Sequence, residues 1–169
     1  MDICISKSKI AGEIAAPGSK SHTIRAVAIA SMAEGKSAII NPLVSGDTLS
    51  SLNAAESFGA EIERKNDFWK IKGIGGKFRN FSKKPVDIGN SGTSLRIFTG
   101  LASLADNVFS FDGDKSLRTR EMRPLLSSLE ELGAEIKSTN GKCPLSVRGP
   151  LKGGKTRIEG KSSQFVTSL

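Results

Sequence analysis

The sequence predicts an α+β (α/β) fold built from repeated βαβαββ units. Three observations support this prediction: short glycine- and serine-containing segments recur at a constant spacing, a helical pattern of apolar residues follows them, and pairs of short strands joined by turn residues come later in each unit. The chain has 169 residues, of which 37% are apolar and 25% are charged. This composition is typical of a folded globular domain and argues against a disordered or collagen-like chain.

The repeat is visible first in three glycine positions. Gly18, Gly89 and Gly160 lie 71 residues apart, and a segment rich in serine, threonine or glutamine follows each of them. A second similarity, with a spacing of 74 to 76 residues, links 58–62 with 132–136, and 71–73 with 147–149. Two similarities at nearly one period are hard to reach by chance, so the sequence predicts repeat unit 1 at 13–83, unit 2 at 84–154 and the start of unit 3 at 155–169.

Unit 1 is expected to hold a strand, a loop, a helix, a second strand, a second helix and a hairpin. The expected bounds are a strand at 13–16, a helix at 21–34 with Gly35 at its end, a strand at 37–40, a helix from Asp47 as N-cap to Gly59, and strands at Glu61–Arg64 and Phe68–Lys72.

Unit 2 repeats this order, and Asn140-Gly141 is a strong signal for the turn of its hairpin. Unit 3 has an expected strand at 156–159, the loop and only the start of a helix. Because repeat units bury their apolar faces against their neighbours, we expect uncovered core surface and interpret the sequence as part of a longer protein.

The charge and the rare residues limit the classes of ligand. The chain carries 25 basic and 17 acidic residues, a net charge of +8, but its basic residues are scattered and only 5% of residues are aromatic. This pattern favours small anionic ligands over nucleic acid.

Cys4, Cys143 and His22 offer no metal-ligand spacing, so neither a metal nor another cofactor is expected. No membrane-spanning run or targeting segment is recognisable, which predicts a cytoplasmic protein.

The repeated loops carry the candidate functional side chains. A loop that leads into a helix presents free backbone N–H groups and the positive end of the helix dipole, which suit phosphates and carboxylates. Lys20 and Arg25 can pair with phosphate, and the hydroxyl and amide side chains of Ser21, Thr93, Ser162, Ser163 and Gln164 can donate hydrogen bonds. Each loop taken alone could equally be a helix N-cap without a ligand. Three loops in register point at one another if the units pack about a pseudo-threefold axis.

Four motifs together resemble the 5-enolpyruvylshikimate-3-phosphate (EPSP) synthase family. They are Pro17-Gly18-Ser19-Lys20-Ser21-x-x-x-Arg25-Ala26, Gly89-Asn90-Ser91-Gly92-Thr93-x-x-Arg96, Gly113-Asp114-x-Ser116-Leu117-x-x-Arg120 and Ser162-Ser163-Gln164-Phe165. The resemblance covers the whole chain. It implies a fold of two lobes, each with three βαβαββ units about a pseudo-threefold axis, of which this chain is the first part. It also implies that residues 1–12 hold a first strand that packs with the other lobe.

The resemblance implies roles for individual residues. Lys20 matches a lysine that contacts phosphoenolpyruvate (PEP) and is the candidate for catalytic proton transfer. Shikimate 3-phosphate is expected at Lys20, Ser21, Arg25, Ser162, Ser163 and Gln164. PEP is expected at Lys20, Asn90, Gly92, Arg120 and Gln164. Asp47, Thr93 and Arg96 are expected to support the site, Thr93 as an N-cap. Ile97 stands where some members of the family have proline, and Glu121 stands where many do.

The reaction implied by the resemblance transfers the enolpyruvyl group of PEP to the 5-hydroxyl of shikimate 3-phosphate and releases phosphate, in the shikimate pathway of aromatic amino-acid biosynthesis. The chain alone is expected to be an inactive or binding-only fragment whose partner is the C-terminal portion of the same enzyme, monomeric when complete. Two alternatives stay open: a UDP-N-acetylglucosamine enolpyruvyl transferase, and a basic RNA-binding or RNA-end-processing module of similar repeat.

Overall fold

The computed structural model describes residues 3–79, 84–160 and 162–169. In its first half, two helices pack on a three-stranded antiparallel sheet with the strand order β1-β3-β2. The elements are α1 (Lys20–Met32), β1 (Lys36–Ile40), α2 (Gly46–Phe58), β2 (Glu61–Arg64) and β3 (Phe68–Lys72). The strand bounds predicted for β2 and β3 are confirmed.

The second half repeats this order of elements around a four-stranded sheet with the order β4-β5-β7-β6. Its elements are β4 (Val86–Asp87), α3 (Gly92–Ala102), β5 (Phe109–Asp112), a 3-10 turn (Leu117–Thr119), α4 (Arg123–Glu131), β6 (Glu135–Thr139) and β7 (Lys142–Arg148). A last short helix, α5 (Ser163–Ser168), follows. Strand β4 is parallel to β5, and the other neighbours are antiparallel. The predicted mixed fold of helices and sheets is therefore confirmed.

The two sheets share one apolar core. The ring of Phe58, from α2, lies 5.5 Å from that of Phe98 in α3 and 4.7 Å from that of Phe109 in β5, measured between centroids. Phe78 completes the cluster at 5.2 Å from Phe58. Because these rings come from both halves of the chain, the helices that start near the candidate site are held against a common core.

Two predicted N-caps are wrong. The N-cap of α2 is Ser45 rather than Asp47, because the Ser45 and Thr48 side chains cap each other's backbone N–H groups in a capping box. Asp47 therefore lies in the first turn. The N-cap of α3 is Ser91 rather than Thr93, because the Ser91 hydroxyl accepts from the N–H of Ser94.

The strands predicted at 13–16 and 156–159 are not formed, and residues 3–12 form no strand either. A strand needs a partner for its backbone groups, and β1 pairs with β3 alone among the described strands. All residues from 11 to 20 are exposed. Gly18 and Gly160 therefore precede their helices in loops without a preceding strand, whereas Gly89 lies between β4 and α3.

The hairpin predicted at Asn140-Gly141 is confirmed. Asn140 and Gly141 have φ angles of 54° and 76°, the positive values that a two-residue type I′ turn requires between β6 and β7. Gly59 ends α2 with φ 105°, as predicted.

Within the described ranges, no helix is both long and apolar enough to pass through a bilayer. No group of three or more potential metal-binding side chains was found among those residues.

Candidate anion-binding site

The first turns of four helices meet at one end of the molecule. Lys20 at the start of α1 pairs with Asp47 of α2, with 2.7 Å between Nζ and Oδ2. The Ser94 hydroxyl of α3 donates to the backbone oxygen of Asp47 at 3.3 Å. Arg96 of α3 donates to Gln164 of α5 at 2.6 Å. These contacts place the free N–H groups of α1 and α3 at the same end of the molecule.

Helices α3 and α5 run side by side in the same direction. Arg96 meets Gln164, and one turn later Gly100 lies against Ser168, so closely that a Cβ on Gly100 would stand 1.9 Å from the Ser168 backbone oxygen. The Ser162 hydroxyl caps α5 by accepting from the N–H of Gln164 at 3.2 Å. The short helix α5 therefore presents its first residues beside the start of α3.

Two guanidinium groups lie against Gly92. A Cβ at this position would be 2.6 Å from Nη1 of Arg120 and 3.0 Å from Nη1 of Arg96, so a larger residue would displace these guanidinium groups from their present positions. Within the described part of the chain, neither arginine forms a salt bridge. Burial, and secondly the nearby charge of Arg120, lower the pKa of Arg96. This cationic surface at the start of α3 favours an anion.

Arg96 is the more enclosed of the two arginines. Its Nη1 donates to the backbone oxygen of Gly92 at 3.2 Å as well as to Gln164, and its Nη2 donates to the backbone oxygen of Glu121 at 3.2 Å. The guanidinium also lies 4.9 Å from the ring centroid of Phe165. Its Nε is buried, and no hydrogen-bond partner for it is found among the described residues.

Arg120 makes a similar contact with an amide. Its Nη2 donates to Oδ1 of Asn90 at 2.6 Å, across 30 residues of sequence. Asn90 is exposed at the end of the loop before α3. The amide nitrogen of Asn90 thus stays available to a ligand, because the oxygen is the end that accepts from the arginine.

Arg25 connects α1 with α5. Its guanidinium donates to the backbone oxygen of Ser21 and to the hydroxyl of Thr167, both at 3.2 Å. The side chain of Ser21 is exposed, as is that of Ser163. In the described ranges, neither hydroxyl bonds to another of the predicted site residues.

The structure therefore brings most of the predicted residues together in pairs. They are Lys20 with Asp47, Asn90 with Arg120, Gly92 with both arginines, and Arg96 with Gln164. Thr93 is buried within α3. Sequence reasoning missed Thr167, the backbone oxygen of Glu121 and the ring of Phe165 as contacts of the site arginines. Thr167 and Phe165 follow the third repeat loop, in α5, so a search of the residues after that loop for partners of Arg25 and Arg96 could have found them.

The fold and the helix starts define the class of protein: an α/β protein in which two arginine side chains lie at the start of a helix, beside free backbone N–H groups. A model of the family described as EPSP synthase (3-phosphoshikimate 1-carboxyvinyltransferase) matches residues 5–169. The chain belongs to the EPSP synthase family.

Individual relatives agree with this assignment. The chain is 48% identical, over 173 residues, to a 3-phosphoshikimate 1-carboxyvinyltransferase of Methanothermobacter thermautotrophicus, covering 100% of this chain and 41% of the relative. It is 44% identical to the protein of the same name from Acetivibrio thermocellus, covering 98% of this chain and 39% of the relative. An EPSP synthase structure from Acinetobacter baumannii superposes with a TM-score of 0.86 at 31% identity, covering 93% of this chain and 36% of that one. The chain thus spans about two-fifths of the length of these relatives.

Proposed function

We propose that this chain supplies the part of an EPSP synthase active site that binds shikimate 3-phosphate and one side of PEP. The observation that carries the proposal is the pair of guanidinium groups on Gly92, at the point where the starts of α1, α2, α3 and α5 meet. Both ligands are strongly anionic, and cationic side chains beside free helix N–H groups stabilise such ligands. The family match favours this pair of substrates over the two alternatives that the sequence left open.

The proposed roles are those that the resemblance to the EPSP synthase family implies for these residues. Shikimate 3-phosphate is bound by Lys20, Ser21, Arg25, Ser162, Ser163 and Gln164. PEP is bound by Lys20, Asn90, Gly92, Arg120 and Gln164. The exposed hydroxyls of Ser21 and Ser163 can face a phosphate. The Arg25 side chain links the two helices that carry them, because it extends from α1 to Thr167 of α5.

In the proposed reaction, the 5-hydroxyl of shikimate 3-phosphate gives up its proton to a base and its oxygen adds to C2 of PEP, while C3 takes up a proton. The tetrahedral intermediate then loses a proton from C3 and expels phosphate, which restores the carbon–carbon double bond. Lys20 is the proposed donor of the proton that C3 takes up. Its ammonium group is half exposed, and Asp47 orients it through the 2.7 Å ion pair. The arginines and the helix N–H groups offset the repulsion between the two anions and hold them in register, which lowers the barrier by positioning and electrostatic stabilisation.

The other proposed parts of the system lie outside this chain. Because the chain spans about two-fifths of its relatives, we propose that the remaining catalytic groups come from the C-terminal portion of the same enzyme. The proposed setting is the cytoplasmic shikimate pathway of aromatic amino-acid biosynthesis. The division into repeat units at 13–83, 84–154 and 155–169 is part of the same proposal.

The test measures phosphate release from PEP plus shikimate 3-phosphate. It uses the 169-residue chain alone, and the chain mixed with the C-terminal portion of a related EPSP synthase. We expect release only in the mixture, and its loss when Lys20→Met replaces the wild-type chain. Arg148→Met, on the outer part of β7, is the matched control that should leave the rate unchanged. Release by the chain alone would contradict the proposed division of the site, and a mixture in which both portions are folded but inactive would contradict the proposed function.

A further inference from the structure

The contact between Arg96 and Gln164 determines which end of the Gln164 amide is available to a ligand. A glutamine amide has an oxygen that accepts and a nitrogen that donates, whereas a guanidinium only donates. Oε1 of Gln164 lies 2.6 Å from Nη1 of Arg96, which is the short distance of a charge-assisted hydrogen bond. The reverse orientation of the amide would place two donors against each other. Arg96 therefore leaves the Gln164 nitrogen as the free end, and no described residue accepts a hydrogen bond from it.

The contacts of Arg96 are better suited to holding the Gln164 amide in one orientation than to binding a ligand directly. Its two terminal nitrogens already donate to the backbone oxygens of Gly92 and Glu121, and its plane lies over Phe165. Four contacts from three parts of the chain thus hold the guanidinium in place. The neighbouring pair repeats the arrangement, since Arg120 takes the oxygen of the Asn90 amide at 2.6 Å. The two arginines beside Gly92 each bind the oxygen of an amide that lies at a helix start.

We propose that Arg96 is a positioning residue that fixes Gln164 as a hydrogen-bond donor, so that the surface at the starts of α3 and α5 favours ligands with acceptor oxygens. This inference deepens the proposed function and rests on it for the identity of the ligand. Phosphate and carboxylate oxygens accept hydrogen bonds and offer no donors when ionised. A freely rotating amide would present its oxygen to them part of the time, and the arginine removes that unfavourable orientation.

The first test is a double-mutant cycle on the 169-residue chain, with shikimate 3-phosphate titrated by calorimetry. Arg96→Met keeps much of the side-chain length and removes the donors. We expect it to weaken binding about tenfold in the wild-type background, the loss of roughly one hydrogen bond to a charged ligand. In the Gln164→Met background we expect a clearly smaller loss, limited to the contribution of the Arg96 charge to the cationic surface, because the amide through which Arg96 acts is absent. Arg148→Met is the matched control for loss of a cationic group far from the site. Equal effects of Arg96→Met in both backgrounds would overturn the proposal.

A third variant tests the donor itself. Gln164→Glu keeps an oxygen that can accept from Arg96 but replaces the amide nitrogen by a second oxygen. We expect it to bind shikimate 3-phosphate at least as weakly as Gln164→Met. Binding by Gln164→Glu at the wild-type level would overturn the proposal, because the nitrogen would then have no role.

The second test needs no ligand and so separates this inference from the proposed function. In NMR spectra of the ligand-free chain, we expect the side-chain amide of Gln164 to give two distinct proton signals displaced from the values of a solvent-exposed glutamine. Arg96→Met should move both signals to those values, while Arg96→Lys, which can still donate to Oε1, should restore part of the displacement. Unchanged signals in Arg96→Met would overturn the inference even if the wild-type chain binds shikimate 3-phosphate. A wild-type chain that shows the displaced signals but binds no shikimate 3-phosphate would contradict the proposed function and leave the orientation of the amide established.

Discussion

At the scale of single residues, Arg25 makes contacts that can be measured through ligand affinity. Its guanidinium reaches Thr167 of α5 from α1 at 3.2 Å, and it lies beside the exposed Ser21. If it binds the phosphate of shikimate 3-phosphate, Arg25→Ala should weaken binding by ~1.5–3 kcal/mol, the usual effect of losing a charge-assisted hydrogen bond. Calorimetric titration of the 169-residue chain gives this difference directly.

The control for Arg25→Ala is Arg148→Ala. Arg148 pairs with Asp106 through Nη2 and Oδ1 at 2.9 Å, outside the candidate site, and has the same charge as Arg25. Its removal should leave the affinity nearly unchanged, because Arg148 contacts none of the candidate site residues and salt screens the effect of an exposed charge. An Arg25→Ala chain that binds as tightly as the control would remove Arg25 from the site.

Asp112 gives a prediction about pH. The Arg118 side chain donates to its carboxylate at 2.9 Å and 2.5 Å, which lowers the pKa of Asp112 from 3.8. A carboxyl group with a lowered pKa contributes stability above its unfolded pKa, and this contribution is lost as the pH falls through the folded pKa. Asp112→Asn should therefore reduce the free energy of unfolding by up to about 1 kcal/mol at pH 7, since Arg118 is half exposed.

The measurement for Asp112 is urea unfolding of both chains at pH 7 and near pH 3. The difference between wild type and Asp112→Asn should shrink at the lower pH, because the wild-type carboxyl begins to take up its proton there. A difference that stays constant between the two pH values would show that the ion pair with Arg118 has no part in the effect.

At the scale of elements, the similarity between 71–73 and 147–149 has a packing cause. Gly73 follows β3 and lies against the end of α1, where a Cβ would be 2.2 Å from the backbone oxygen of Ala33. Gly149 follows β7 and lies against the end of α3, where a Cβ would be 1.8 Å from the backbone oxygen of Ser103. In both repeats, a glycine thus allows the chain after the last strand to lie close to the C-terminal end of the first helix.

Gly73→Ala and Gly149→Ala should each lower the free energy of unfolding by about 1–3 kcal/mol, because a methyl group cannot fit without displacing backbone. The matched control is Gly46→Ala at the start of α2, where a Cβ would have nothing within 4 Å. Denaturant unfolding should rank the control at or slightly above wild type. Equal stability of all three variants would contradict the close approach at both helix ends.

Local patterns predicted the elements well where neighbouring residues determine them. The turn at Asn140-Gly141 and the end of α2 at Gly59 depend on backbone angles that few residues adopt, and both are confirmed. The strands at 13–16 and 156–159 were wrong because a strand depends on a distant partner that a local pattern does not contain. The predicted N-cap of α2, Asp47, was wrong because several polar residues near the start of this helix could act as its cap. Ser45 takes this position because its side chain and that of Thr48 cap each other's backbone N–H groups.

In the candidate site too, features set by neighbouring residues could be predicted, whereas contacts between distant residues could not. The motifs predicted which loops carry the polar and cationic residues, since their order and spacing are properties of the sequence. The pairs Arg96–Gln164 and Arg120–Asn90 join residues 68 and 30 positions apart. No single motif contains both residues of such a pair. The pairs depend on how α3 packs against α5 and on the absence of a side chain at Gly92, where the two guanidinium groups lie.

At the scale of the whole molecule, one groove on the surface is lined mostly by apolar side chains. This groove of about 330 Å³ lies between α1, α3 and α5, and its walls include Ile29, Met32 and Leu101. Ile29 is 72% exposed, and Val166 on α5 is 59% exposed. Apolar side chains gathered in a groove bind small apolar molecules more readily than the same side chains scattered over a surface.

The native chain should therefore increase the fluorescence of Nile red, an uncharged dye that the net charge of +8 does not attract. Ile29→Lys should reduce the increase severalfold, because the charge lies at the opening of the groove. The matched control is Ile40→Lys on β1, where the isoleucine is 67% exposed but lies outside the groove. If both variants reduce the fluorescence equally, the dye binds to exposed apolar side chains in general. Absence of any increase with the wild-type chain would mean that the helices close the groove in solution.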